Sequence, residues 1–180
     1  MCGKIQKPIL MALLGVALSA PPRAVSATMT VTSNLDAIIQ ANGSLSVPGT
    51  TTLSYVGTLF AGFTGSLTLQ YRARTTSAGG GTVTLKVIQD FQAGGPSVSS
   101  GDLSYFCGSA GLGTACASTT ASTSSATTVV TLPNSACTGG GSPCSATDPD
   151  SVLVTFTLAD RPAVQTGTYT ANVQFTISAT

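Results

Sequence analysis

The sequence has no histidine, no tryptophan and no glutamate, and only 13 of its 180 residues carry charge: seven Lys or Arg and six Asp. That is 7% charged residues, where a soluble domain ordinarily has about 25%. Each absence removes a class of chemistry. Without His, the commonest general base and metal ligand are missing, and a nucleophile–base triad of the familiar kind cannot be assembled. The six carboxylates, Asp36, Asp90, Asp102, Asp148, Asp150 and Asp160, include none in an aromatic surround that would raise one pKa for glycoside cleavage. The runs Gly79-Gly80-Gly81 and Gly139-Gly140-Gly141 lack the Lys-Ser/Thr of a phosphate loop and read as turns. The composition therefore points away from an enzyme, and it implies no cofactor.

The first residues look like an export signal. Lys4 and Lys7 precede an apolar run from Ile9 to Leu18, and Val25-Ser26-Ala27 offers small residues where a signal peptidase reads. Ala20 is a second possible cleavage position, but Pro21 follows it directly. The sequence thus predicts a cleaved signal peptide over 1–27 and one domain over 28–180. The apolar run is too short to span a bilayer, which needs about 20 residues, so no stable membrane insertion is expected. Cleavage removes Lys4, Lys7 and Arg23, leaving Arg72, Arg74, Lys86 and Arg161 against six Asp, and the net charge falls from +1 to −2. Four scattered cations cannot build the basic footprint that nucleic acid or an anionic membrane requires. The expected location is secreted: periplasm, cell surface or medium.

Four cysteines remain after cleavage: Cys107, Cys116, Cys137 and Cys144. In an exported chain an even number reads as disulfides. Three connectivities are possible. The short spacings across Gly-, Ser- and Ala-rich loops favour Cys107 with Cys116 and Cys137 with Cys144. A four-thiolate zinc site is the competing reading, weakened by the lack of a close Cys-x-x-Cys knuckle.

What the chain does have is Ser and Thr, 22 and 29 of its residues, arranged with strand periodicity. Tyr169, Ala171, Val173, Phe175 and Ile177 alternate with polar neighbours, as in a strand with one face in a core and one in water. Leu67, Leu69 and Tyr71, then Val83, Leu85 and Val87, repeat the pattern on either side of the Gly-rich connection 75–81, which predicts a long hairpin. Asn42-Gly43 suits a type I′ turn and predicts a second hairpin between 36–41 and 44–47. Strands are also expected over 51–56, 103–107, 127–132 and 151–158. No segment has a helical stripe. The prediction is all-β: a single antiparallel β-sandwich, immunoglobulin-like or jelly-roll-like, with two disulfide-closed loops.

Several residues are candidate sites. Asp148-Pro149-Asp150 could offer two carboxylates to calcium, although Asp and Pro also initiate turns. Arg72 and Arg74 share one strand face and read as solvated or paired with Asp. Phe60 and Phe63 could form an exposed apolar patch for a ligand, or plug one end of the sandwich. Residues 117–128 form a low-complexity Ala/Ser/Thr loop, and Asn42-Gly43-Ser44 matches the N-glycosylation triplet.

The closing Gly167-Thr168-Tyr169-Thr170-Ala171-Asn172-Val173-Gln174-Phe175-Thr176-Ile177-Ser178 resembles the last strand of secreted bacterial β-sandwich subunits of the spore coat protein U and fimbrial type. The resemblance implies assembly into surface fibres by exchange of a strand between neighbouring subunits. The residues permit this independently. Thr28 to Leu35 alternates Met29, Val31 and Leu35 against polar residues and could add to a neighbour's sheet edge, or pair within its own sandwich. The sequence thus predicts a non-enzymatic structural or adhesive surface protein whose partners are its own copies or other surface proteins. The alternative is a monomeric extracellular module that binds a glycan or another ligand.

Overall fold

The computed structural model describes residues 37, 39–55, 57, 59–137 and 148–180, and their strands all lie in the compact unit Ile38–Thr180. The chain there is all-β, apart from one 3-10 turn at Val98–Ser100. Ten strands follow in order: β1 (Asn42–Ser46), β2 (Ser54–Tyr55), β3 (Phe63–Arg74), β4 (Gly81–Gln89), β5 (Leu103–Cys107), β6 (Thr114–Ala115), β7 (Thr119–Thr120), β8 (Thr127–Leu132), β9 (Asp150–Leu158) and β10 (Asn172–Ala179). They form two antiparallel sheets. The first runs β1-β3-β9-β5-β7, with β2 also on β3, and the second runs β10-β4-β8-β6.

Period-two patterning explains why these segments are strands and which way they face. Leu67, Leu69, Tyr71 and Ala73 of β3, Tyr105 of β5, and Val152, Val154 and Phe156 of β9 are buried on the first sheet. Val83, Leu85 and Val87 of β4 and Val129, Val130 and Leu132 of β8 meet them from the second, and all belong to one apolar cluster. Adjacent Val129 and Val130 can both be buried because β8 bulges there: Val83 pairs with Val130 but Thr84 pairs with Thr128.

Two tyrosine hydroxyls fasten the first sheet, one to the second sheet and one to the β5–β6 loop. The Tyr105 hydroxyl donates across to the Thr128 carbonyl (3.1 Å) and to Thr127 Oγ1 (2.8 Å), and Thr127 Oγ1 donates on to Leu85 O (3.1 Å). The Tyr71 hydroxyl donates to the Leu112 carbonyl and accepts from Leu112 N–H. A third link is covalent: Cys107, at the end of β5, is bonded to Cys116, just past β6 of the other sheet. Closing so short a loop contributes about 2–3 kcal/mol by restricting the unfolded chain.

The predicted all-β class with two antiparallel layers is what the structure shows, but two pairings and several strand limits differ. β3 and β4 are not a hairpin. Each needs a facing sheet for its apolar row, so the connection 75–80 carries the chain from one sheet to the other, held by Thr75 Oγ1 on Pro133 O (2.8 Å) and Thr75 N–H on Ala136 O (3.0 Å). Asn42-Gly43 is not a turn but the start of β1, paired with Arg74 and Ala73. The last strand begins at Asn172 rather than Thr168, because the Tyr169 hydroxyl is bound by the carbonyls of Gln165 (2.8 Å) and Gly94 (3.2 Å). Of the predicted strand 51–56 only Ser54–Tyr55 is in the sheet, and the low-complexity loop 117–128 contributes β7 and a buried Ala121.

Candidate self-association edge and apolar tip

β1 and β2 lie along the same border of β3 and act as one interrupted edge strand. Ser46 pairs with Gln70 and Ser54 with Thr64, so residues 47–53 pass opposite the shorter stretch 65–69. Pro48, which has no N–H to give, falls in this bulge. Thr51 Oγ1 still reaches Ser66 O (3.0 Å). A bulged, proline-bearing edge resists pairing with another chain.

The border of the second sheet is built differently. β10 runs for eight residues without a charge or a proline, lies on β4 over its whole length, and among the described residues has no strand on its other side. Its inward row Val173, Phe175 and Ile177 is only half-buried, whereas the matching row Val87, Leu85 and Val83 of β4 is fully buried. The nearest element across the gap is β1 of the opposite sheet, where a Cβ on Gly43 would lie 3.0 Å from Ile177 Cδ1. Leu45 of β1 is likewise half-buried. The two layers therefore converge along this side and leave a half-covered apolar row next to backbone that, among the described residues, pairs with no further strand.

The second candidate is the β2–β3 tip. Phe60 is 49% exposed and Leu59 77% exposed, and Phe60 holds φ +63°. Non-glycine residues adopt that conformation at a cost of roughly 1 kcal/mol or more, and such strain gathers at functional sites. Phe63 does not join it in solvent. It is half-buried in β3 and packs its ring on Tyr55, with centroids 5.5 Å apart. The predicted pair is thus split: Phe63 belongs to the end of the core, and Phe60, Leu59 and Tyr55 form the exposed surface.

The remaining candidates fall as follows. Met29, Val31 and Leu35 lie outside the described residues, as does Cys144; Cys137 is disulfide-bonded. Asp150 starts β9 opposite Tyr71, Asp148 is exposed just before it, and no group of three metal-ligating side chains occurs among the described residues. Arg72 and Arg74 sit on the face of β3 away from buried Tyr71 and Ala73. Among the described residues no helix is long and apolar enough to cross a membrane, and the disulfide suits an oxidising compartment.

Asp90 and Asp102, which belong to no motif, organise the loop between β4 and β5. Asp90 accepts from Phe91 N–H (2.8 Å), Val98 N–H (2.9 Å) and Ser97 Oγ (3.1 Å). Desolvation pushes its pKa up, but these hydrogen bonds outweigh it and hold the carboxyl below its ordinary value. Buried Asp102 accepts from Ser97 N–H (2.8 Å) and from Arg161 Nε. The signal was an Asp at each end of a Gly-, Pro- and Ser-rich loop, residues that hydrogen-bond local backbone. Comparison of the chain with protein-family models, with curated proteins and with solved structures returns no match.

Proposed function

We propose that the protein is a secreted, non-enzymatic structural or adhesive component of the cell surface that associates with its own copies by strand addition. The observation that carries this reading is the β10 edge: long, uncharged, proline-free, and flanked by the half-covered row Val173, Phe175 and Ile177. On this reading the strand orders β1-β3-β9-β5 and β10-β4 are taken as the A-B-E-D and F-C strands of an immunoglobulin-like sandwich, with β8 and β6 added beyond C; in that fold a further strand, G, pairs beyond F. A donated strand at that position would pair its backbone with β10 and cover the row from outside. The segment 28–35 of a neighbouring copy suits the role, because Met29, Val31 and Leu35 recur at the spacing of one strand face. Scarcity of charge leaves little repulsion between copies.

A synthetic peptide of residues 28–35 tests the proposal. Added in excess to the mature protein it should occupy the β10 edge, quench self-association and raise the melting temperature. A peptide that neither binds nor alters assembly contradicts it. The second reading, a monomeric module binding an extracellular ligand, is favoured by the strained, exposed Phe60, and retention on a polysaccharide panel that is lost on Phe60→Ala would support it.

A further inference from the structure

Where the β4–β5 loop meets the segment after β9 there is a cavity of about 430 Å³, bordered by Ser97, Ser100, Asp102, Arg161, Ala163 and Val164. Neither the β10 edge nor Phe60 contributes to it. Its walls are fixed: Asp90 and Asp102 between them bind Ser97 through both its backbone N–H and its hydroxyl, Ala159 N–H donates to Asp102 O (2.8 Å), and Gln165 N–H to Gly94 O (3.3 Å).

Arg161 is the one cation among the described lining residues, and the buried carboxylate aims it. Asp102, 4% exposed, accepts a hydrogen bond from Arg161 Nε–H, which locks the plane of the guanidinium. A long 3.5 Å contact from Nη2 to Ser100 O is its other hydrogen bond among the described residues. The outer N–H groups of a half-exposed side chain are left to point at a guest, in the rigid fork that distinguishes Arg from Lys. The Ser100 hydroxyl makes no side-chain hydrogen bond among the described residues and can both donate and accept. Ala163 and Val164 add apolar side chains to the lining.

We infer that this cavity is a binding site for a neutral, polyhydroxylated ligand, namely one hexose-sized unit of a saccharide, whose hydroxyls take the Arg161 and Ser100 hydrogen bonds while its C–H face rests on Val164. A neutral ligand fits better than an anion. The Arg161 charge is already matched by Asp102, while Asp90 holds the same loop and Asp160 precedes Arg161 in the chain, so an incoming carboxylate would meet an excess of negative charge. With few contacts and an open mouth, affinity in the millimolar range is expected, as for a binding free energy of about −4 kcal/mol.

The test is a two-dimensional NMR titration of the mature protein with glucose, galactose, mannose and N-acetylglucosamine, with glucuronate as the anionic comparator. At least one neutral sugar should shift the backbone signals of Ser100 and Val164 and the side-chain signal of Arg161. Arg161→Gln should weaken binding at least tenfold. Because that change leaves Asp102 buried without its partner, Ala163→Phe is the second variant: it fills the cavity, keeps the ion pair, and should abolish the shifts at an unchanged melting temperature. The inference is overturned if no neutral sugar shifts these signals, if glucuronate binds more tightly than every neutral sugar, or if Ala163→Phe leaves binding intact.

Discussion

Gly43 of β1 faces Ile177 of β10 with so little clearance that a Cβ on the glycine would stand 3.0 Å from the isoleucine Cδ1. This contact joins the edge of one sheet to the edge of the other and sets the width of the gap beside β10. Gly43→Ala should be close to neutral, because the terminal methyl of a half-buried isoleucine can move aside and alanine recovers some backbone entropy. Gly43→Phe should destabilise by about 1–3 kcal/mol, as overpacking does. Chemical denaturation of the two variants distinguishes local accommodation from a fixed gap.

The Tyr105 hydroxyl bridges the layers through Thr127 and Thr128, and its removal is measurable in two ways. Tyr105→Phe should cost about 1–2 kcal/mol at neutral pH, the value of a net hydrogen bond plus a less satisfied acceptor. Burial also pushes the Tyr71 and Tyr105 phenols above their ordinary value of about 10. The folded state therefore keeps protons that the unfolded chain loses near pH 10. The stabilisation is complete below that pH and disappears as pH rises towards the folded-state values. Melting curves between pH 8 and 11 should show stability falling above about pH 10, with a shallower fall in Tyr105→Phe.

How far such features were legible differs by level. Strands 103–107 and 127–132 were placed correctly, and 151–158 to within one residue, because alternation of Leu, Val and Phe with Thr and Ser is a local property. Partner choice is not local. β3 and β4 follow one another across a glycine-rich connection, which is what a hairpin looks like in one dimension, yet their apolar rows face each other from opposite layers. Gly43 carries a turn signal, yet it lies within β1, paired with Ala73 and set against the Ile177 side chain. The site was legible in composition but not in place: Phe60 and Phe63 are near-identical in sequence terms, and only the packing on Tyr55 separates one from the other. Asp90 and Asp102 form no motif, since several of their partners are backbone N–H groups that any sequence supplies and Arg161, the side-chain partner of Asp102, is distant along the chain.

Asp90 should dominate the acid response of the β4–β5 loop. Its carboxyl is held below the ordinary value of 3.8, so its contribution is present above that pH and is lost as pH falls through the lower folded-state value. Asp90→Asn keeps one acceptor oxygen but loses the charge. It should cost about 1–3 kcal/mol at pH 7, as charge-assisted bonds to Val98, Phe91 and Ser97 are weakened. It should also flatten the dependence of stability on pH between 2 and 5, and urea denaturation across that interval provides the check.

Strand addition at the β10 edge is tested most directly by sizing chromatography and negative-stain imaging of the mature protein beside a variant lacking residues 28–35. The account predicts ladders or filaments for the intact chain and monomers for the deletion, and shorter assemblies when the deleted form, which can accept a strand but not donate one, is mixed with intact subunits. A strictly monomeric intact protein under all conditions, or filaments that persist without residues 28–35, would contradict it.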